Sequence, residues 1–266
     1  MSTLRALTTA AVSLALLSGI AAPAAATSYA PPSTSTTKSG GHISSSSSTT
    51  HIKNFASVPA PHLAAPAFAD TAASPFQTEI NWLYASKITA GYADGTYRPA
   101  AVMDRGTAIA YLYRLAGSPK FTAPKVSAFA DVKPGQTFYK EIHWAKAQGI
   151  TAGYKAKTGK PTFRATSPVT RDAMTAFLFA HSGAKVSYVA PKISAFADVK
   201  ATSGSHRAIS WASATGLSKG YAGTSKPVYK PGVAVTRGEG ASFLYQFAHR
   251  VAPAKTAKTT IAPVKG

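Results

Sequence analysis

The chain has 266 residues, no cysteine, and 29 Lys plus Arg against 9 Asp plus Glu, a formal net charge of +20 at pH 7. The lack of cysteine excludes disulfides and thiolate metal sites. No stretch after the first 26 residues is long and apolar enough to predict a membrane span. A charge imbalance of this size attracts polyanions, but charge alone does not distinguish wall polymers from lipid headgroups or nucleic acid.

The two ends of the chain differ in composition from its middle. Residues 1–26 combine Arg5, an apolar run and the small residues "AAA" at 24–26, a pattern typical of a secretory signal peptide cleaved before Thr27. A short leader and no cysteine favour a bacterial source. Residues 27–66 are rich in Ser, Thr and Pro, which predicts a disordered stalk, and residues 251–266 are predicted to form a basic flexible tail.

A repeated segment organises the middle of the chain. The stretches "APKVSAFADVK" at 123–133 and "APKISAFADVK" at 190–200 differ at one position, and a third "FAD" lies at 68–70. After each copy come, in the same order, a tryptophan, a Gly-Tyr pair and an arginine. These residues are Trp82, Trp144 and Trp211, then Tyr92, Tyr154 and Tyr221, then Arg105, Arg171 and Arg237. A fixed period of this kind indicates stacked repeats, predicted at 67–121, 122–188 and 189–250.

The first part of each repeat is predicted to be a helix. In repeat 1, Ser74 is a favourable N-cap and Gln77 stands at the capping-box position. Gly149 and Gly216 follow the helices of repeats 2 and 3, where a left-handed residue ends a helix. Lys87 takes that position in repeat 1. The tryptophans lie near the apolar face of these helices, so core packing is favoured over sugar stacking.

A second helix is predicted to begin at each arginine. "TRGE", from Thr236 to Glu239, has the form of a capping box, and Asp104 and Thr170 are the corresponding N-caps. His181 and His249 end the second helices of repeats 2 and 3, where a positive charge suits the helix dipole. Two helices bury little by themselves, so the three repeats predict one all-α domain of helix-loop-helix units.

The ordered motifs resemble the S-layer homology repeat. Repeat 1 carries "ITAGYADGTYRP" at 88–99, repeat 2 "GITAGY" at 149–154, and repeat 3 "VTRGE" at 235–239. The resemblance implies a pseudo-threefold bundle with the first helices at its centre. It also implies grooves between repeats that hold a secondary wall polysaccharide, often pyruvylated and hence anionic. The arginine of the family's Thr-Arg-Ala-Glu motif is a main ligand contact, and it corresponds here to Arg105, Arg171 and Arg237.

Three sets of residues are candidates for ligand binding. The helix dipole disfavours a cation at a helix N-terminus. The position of each candidate arginine is explained if an anion binds there, held by the free backbone amides and the guanidinium together. The alternative is that each arginine forms a salt bridge within its own repeat. The "FAD" aspartates could hold a ligand hydroxyl, although a structural role is favoured; they are Asp70, Asp131 and Asp198. The Gly-Tyr tyrosines could line a groove or simply pack, and the sequence leaves this open.

The sequence does not indicate an enzyme. All nine acidic residues fall inside the repeats, leaving no domain for a carboxylate pair, and no nucleophile or zinc motif occurs. No metal or other cofactor is expected. The favoured function is a secreted, non-catalytic module that binds an anionic cell-wall polysaccharide. The alternative is a general extracellular polyanion or nucleic-acid binder acting through net charge, although no specific nucleic-acid signature is present.

Overall fold

Six helices make up the regular structure of residues 67–251, the part of the chain that the computed structural model describes. They are α1 (Gln77–Ala85), α2 (Arg105–Leu115), α3 (Tyr139–Ala147), α4 (Arg171–His181), α5 (His206–Ala214) and α6 (Arg237–Arg250). This range holds isolated β-bridges but no strand, so the predicted all-α class is confirmed. The predicted signal peptide and stalk, and all but the first residue of the predicted tail, lie outside the described residues.

The first helix of repeat 1 begins later than its sequence predicts. Its N-cap is Phe76, which offers no capping side chain. The Ser74 hydroxyl accepts the N–H of Phe76 at 3.2 Å, and the N–H of Gln77 closes a turn on the Ser74 carbonyl. Ser74 therefore forms a turn before the helix, and the predicted cap is wrong.

The first helices end as their sequences predict. The residues that follow their last turns adopt left-handed backbone conformations. They are Lys87, Gly149 and Gly216, with φ of 58°, 68° and 71°. Only glycine takes this conformation without strain, so repeat 1 ends its first helix at a conformational cost.

Two of the three second helices are capped as predicted. The Thr236 hydroxyl accepts the N–H of Glu239 at 3.2 Å, and the Glu239 carboxylate accepts the N–H of Thr236 at 2.9 Å. This is a complete capping box. At α2, Asp104 Oδ1 accepts the N–H of Thr107 at 2.6 Å.

At the second helix of repeat 2, a neighbouring carboxylate takes the place of the N-cap side chain. Thr170 stands at the N-cap, but its side chain accepts no backbone N–H. Its hydroxyl donates instead to Asp172 Oδ1, which accepts the N–H of Ala173 at 2.8 Å. The predicted Thr170 cap is therefore wrong, because the neighbouring carboxylate is a stronger acceptor and takes both donors.

The second helices lie at the centre of the helical packing. Helices α2, α4 and α6 contact one another. Each first helix packs on the second helix of the preceding repeat, where repeat 3 is taken to precede repeat 1: α3 packs on α2, α5 on α4, and α1 on α6. The backbones of the two helices of one repeat do not approach each other closely, and side chains such as Trp144 and His181 meet in the space between them. The expectation that the first helices form the central bundle is therefore wrong, and α1, the first helix of the described range, packs on α6, the last helix of that range.

The three tryptophans are anchors between repeats. All three are buried, and each ring meets an aromatic ring on the second helix of the preceding repeat. The pairs are Trp82 with Tyr245 at 5.4 Å, Trp144 with Tyr113 at 5.2 Å and Trp211 with Phe179 at 5.3 Å. Their structure agrees with the core-packing interpretation, because edge and tilted contacts of this kind stabilise a core beyond simple burial.

A closed ring of three backbone hydrogen bonds joins the repeats. The N–H of Met103 donates to the Val235 carbonyl at 2.9 Å, that of Val235 to Val169 at 2.9 Å, and that of Val169 to Met103 at 3.0 Å. All three residues are buried. Each lies two residues before a candidate arginine, so these hydrogen bonds bring the N-terminal ends of the three second helices together.

His181 does not carry the charge that its position at a helix end suggests. Its ring lies 5.9 Å from that of Trp144 and 5.7 Å from that of Phe247, and its buried Nε2 has no hydrogen-bond partner within residues 67–251. Desolvation by burial lowers the pKa of His181 to about 4. The imidazole is therefore neutral at pH 7, and the expected dipole interaction is wrong.

This histidine should make folding sensitive to mild acid. Its folded pKa lies below the ordinary value of 6.5, so the unfolded chain takes up the proton first as the pH falls. Its contribution is complete above pH 6.5 and declines towards pH 4, and we expect the free energy of unfolding to fall by about 2 kcal/mol between pH 7 and pH 5 on this account. Urea unfolding of His181→Leu should lack that fall, while the exposed-site control His249→Leu should keep it. Equal pH dependence in all three chains would contradict the assignment.

Candidate anion-binding grooves between repeats

The three candidate arginines are buried where one repeat meets the next. They are 4%, 5% and 7% exposed, and each is the first residue of its second helix. Each Nε donates to a backbone carbonyl of the following repeat, with repeat 1 following repeat 3. The pairs are Arg105 with Phe163 at 3.0 Å, Arg171 with Tyr229 at 2.9 Å and Arg237 with Tyr97 at 2.7 Å. The arginines therefore link neighbouring repeats.

The helix N-termini beside these arginines are already occupied. The N–H of Arg105 donates to the Ser167 carbonyl at 3.0 Å, and that of Gly106 to the Ala165 carbonyl at 2.8 Å. The first two amides of α4 and α6 donate to the neighbouring repeat in the same way. The acceptors there are Val233 and Pro231 for α4, and Ala101 and Pro99 for α6. The expectation that free amides would bind an anion together with the guanidinium is therefore wrong.

Within residues 67–251, no carboxylate forms an ion pair with any of the three guanidinium groups. Within residues 67–251 the one ion pair joins Arg98 to Asp94, so the alternative of a salt bridge within each arginine's own repeat is also wrong. Burial lowers the pKa of Arg105 below its ordinary value, but an arginine stays charged at neutral pH. The terminal nitrogens of Arg105 make no hydrogen bond in the described range, so these donors remain available.

Aromatic rings of the following repeat surround each guanidinium. Arg105 Cζ lies 4.8 Å from the ring centre of Tyr154, 4.9 Å from Phe163 and 5.1 Å from Phe177. In each of the other two grooves, three aromatic rings also face the guanidinium. Arg171 faces Tyr221, Tyr229 and Phe243, and Arg237 faces Tyr92, Tyr97 and Tyr111. The ring faces stabilise the cations, and the structure brings the candidate arginines and tyrosines together across repeat boundaries.

The groove tyrosines remain accessible. Tyr92 and Tyr154 are 38% and 39% exposed, and Tyr221 is half-buried. Gly153 places Tyr154 in repeat 2: its φ is 74°, and a Cβ there would lie 2.6 Å from the Thr162 carbonyl and 2.7 Å from the Phe129 ring. Glycine is required at this close approach, which explains the Gly-Tyr pair.

The three aspartates hold the groove loops in place. Asp131 accepts the N–H of Phe163 at 2.7 Å through one carboxylate oxygen and that of Arg164 at 2.6 Å through the other. Asp70 accepts from Tyr97 and Arg98, and Asp198 from Tyr229 and Lys230, in the same manner. Each aspartate thus fixes an aromatic residue of the groove. A direct contact with a ligand stays a prediction.

Each groove also contains a second cation that sequence reasoning did not single out. It follows the groove aromatic directly, in "YR", "FR" and "YK", and it lies against the same tyrosine as the buried arginine. The contacts are Arg98 on Tyr92 at 4.0 Å, Arg164 on Tyr154 at 4.2 Å and Lys230 on Tyr221 at 4.5 Å. The shared register of these residues is the signal that could have identified them.

Taken together, the helices and grooves define a repeat module with cationic, aromatic-lined sites between neighbouring units. The family model of the S-layer homology domain matches residues 67–109, 128–175 and 195–241. These matches cover more than half of the chain and correspond to its three repeats, so the chain belongs to the S-layer homology domain family. Domains of this family are, in general, modules that anchor proteins to the cell wall or cell surface.

Two further observations complete the comparison. A search of curated proteins gave no match to this sequence. None of the helices within residues 67–251 has the length and apolar character that crossing a membrane requires.

Proposed function

We propose that this chain is a secreted, non-catalytic wall-binding protein that attaches non-covalently to an anionic secondary cell-wall polysaccharide. The observation that supports the proposal is the set of three buried arginines that have no carboxylate partner within residues 67–251. A desolvated charge is unfavourable unless it is paired. Aromatic rings and one carbonyl compensate each charge only in part, even with the hydroxyl of Ser218 that accepts from Arg171 and that of Tyr111 that accepts from Arg237. An anionic ligand in the groove would supply the missing partner.

The chemistry of the groove favours an acidic sugar. A guanidinium donates to a carboxylate through two parallel hydrogen bonds, and the apolar face of a sugar ring packs on an exposed tyrosine. A polysaccharide that carries pyruvyl groups offers both features. Contacts that run from each repeat to the next support a pseudo-threefold arrangement of the repeats, in which one polymer or several could occupy equivalent grooves.

A general polyanion binder is the second candidate. Its support is the large excess of basic residues in the chain, of which one participates in an ion pair within residues 67–251. For such a protein, affinity would follow total charge and would not depend on the geometry of the grooves.

Binding to purified walls tests the proposal. Walls from the bacterium that produces the protein should retain the full chain at physiological salt, and high salt should release it. Mild-acid extraction of the secondary polymers from these walls should abolish retention, because the proposed ligand is then absent. Undiminished binding to extracted walls, or release only by muramidase, would reject the proposal.

A further inference from the structure

Each groove tyrosine contacts two cations. The inner cation is the buried arginine of the preceding repeat, and the outer cation is the basic residue of the tyrosine's own repeat, Arg98, Arg164 or Lys230. On Tyr154, for example, Arg105 lies 4.8 Å and Arg164 lies 4.2 Å from the ring centre. Two positive charges on one ring repel each other, so the arrangement is favourable where an anion can lie between them.

The backbone of the outer cations is strained in all three repeats. Their φ values are positive, at 59°, 62° and 58°, a conformation that is uncommon for long side chains. The second carboxylate oxygen of the "FAD" aspartate accepts the outer cation's N–H in every repeat, at 2.7, 2.6 and 2.7 Å. Strain that is held in place at three equivalent positions is typical of residues that serve a site.

We propose that the outer cation is the second half of each anion-binding site. The acidic group of the polymer is held between the inner guanidinium and the outer cation, at the edge of the shared tyrosine. The "FAD" aspartates are positioning residues, since they fix the backbone of the outer cation. This inference rests on the proposed function, and it specifies the ligand as a sugar polymer whose carboxylate or phosphate groups enter the grooves.

The groove of Tyr92 carries its own competitor for the ligand. Asp94 Oδ2 pairs with Arg98 Nη2 at 2.9 Å, while Asp94 Oδ1 accepts the N–H of Thr96 at 3.0 Å. Hydrogen bonds from Thr96 and Arg98 hold the pKa of Asp94 down to about 2, so its charge persists at any physiological pH. The outer cations Arg164 and Lys230 have no ion-pair partner in the described range. Asp94 therefore weakens one groove of the three.

Removing that competitor should increase affinity. Asp94→Asn keeps an acceptor for the Thr96 N–H and removes the negative charge. The probe is the set of polymer fragments that mild acid releases from the producing bacterium's walls, titrated into the full chain by calorimetry. We expect Asp94→Asn to bind these fragments about threefold or more tightly, because a freed cation gains a charge-assisted contact. Arg98→Gln should weaken binding more in the Asp94→Asn background than in the original chain.

The groove of Tyr154 provides the loss-of-function comparison. Arg164→Gln should weaken fragment binding about fivefold or more, while Lys192→Ala, the same loss of charge at an exposed linker site, should change it little. Thermal unfolding confirms that each variant folds. Unchanged affinity in Asp94→Asn, with equal effects of Arg164→Gln and Lys192→Ala, would overturn the inference. The proposed function would survive that result if Arg105→Lys still weakened binding, and it would fail as well if Arg105→Lys bound normally.

Discussion

A chain that ends at residue 188 is expected to lose cooperative folding, although it keeps two complete repeats. Helix α1 packs on α6 and on no other helix of residues 67–251. Removal of repeat 3 would therefore expose the buried side chains of Ile80, Trp82 and Leu83. It would also remove the Val235 carbonyl that accepts the N–H of Met103.

The expected loss in the free energy of unfolding is comparable to the net stability of a whole domain. Burial of one large apolar side chain contributes about 1.5–3 kcal/mol, and three such side chains approach a net stability of about 5–15 kcal/mol. Urea unfolding followed by near-UV circular dichroism should show no sigmoidal transition for the shortened chain. Addition of a separate fragment of residues 189–250 should restore it, because α6 and α5 then regain their partners. A cooperative transition of the shortened chain alone would contradict a fold that depends on the packing of α1 on α6.

Sequence patterns located the helices but not their partners. The apolar spacing around Trp82 shows which face of α1 is buried, and Gly149 shows where α3 ends. Neither pattern states which helix covers that face, since α2 and α6 offer similar aromatic surfaces. The arrangement depends on contacts between residues far apart in the chain, such as Tyr97 with Arg237, and periodicity within one repeat carries no information on these.

The candidate site could be predicted only in part, because it also depends on contacts between repeats. The register of the repeats identified Arg105 and Tyr154, but not that the arginine of one repeat meets the tyrosine of the next. Free helix amides were a reasonable expectation from local geometry, and they are occupied because the neighbouring backbone supplies carbonyls such as that of Ser167. Arg164 did not stand out because basic residues are common in this chain.

Replacement of the three inner arginines by lysine is expected to abolish most wall binding while the chain stays folded. Alanine is unsuitable here, because Arg105→Ala would leave the Phe163 carbonyl without its donor, a loss of about 1–3 kcal/mol, and would remove its contacts with aromatic rings. Three such losses would threaten folding itself. Lysine keeps the positive charge and can donate to the carbonyl, but it lacks the planar fork that binds a carboxylate through two bonds.

The single and triple lysine variants should differ sharply. Each groove loses a charge-assisted contact of about 1.5–3 kcal/mol, which is about a tenfold to hundredfold loss of affinity per groove. A single replacement should reduce wall binding by less than this, because the two intact grooves hold the polymer at a high effective concentration. The triple variant of Arg105, Arg171 and Arg237 should therefore lose far more wall binding than any one of them. Retention on purified walls at physiological salt measures this effect.

Arg114→Lys is the matched control for these replacements. Its guanidinium also donates to a backbone carbonyl, that of Ile88 at 2.8 Å, but it lies outside the grooves, so its replacement should leave wall binding unchanged. A general polyanion binder would behave differently, because lysine conserves the charge and the triple variant would bind like the original chain. Wild-type retention by a folded triple variant would therefore reject the groove mechanism and favour attraction by net charge. Loss of retention in the triple variant, with none in Arg114→Lys, would assign binding to the three grooves.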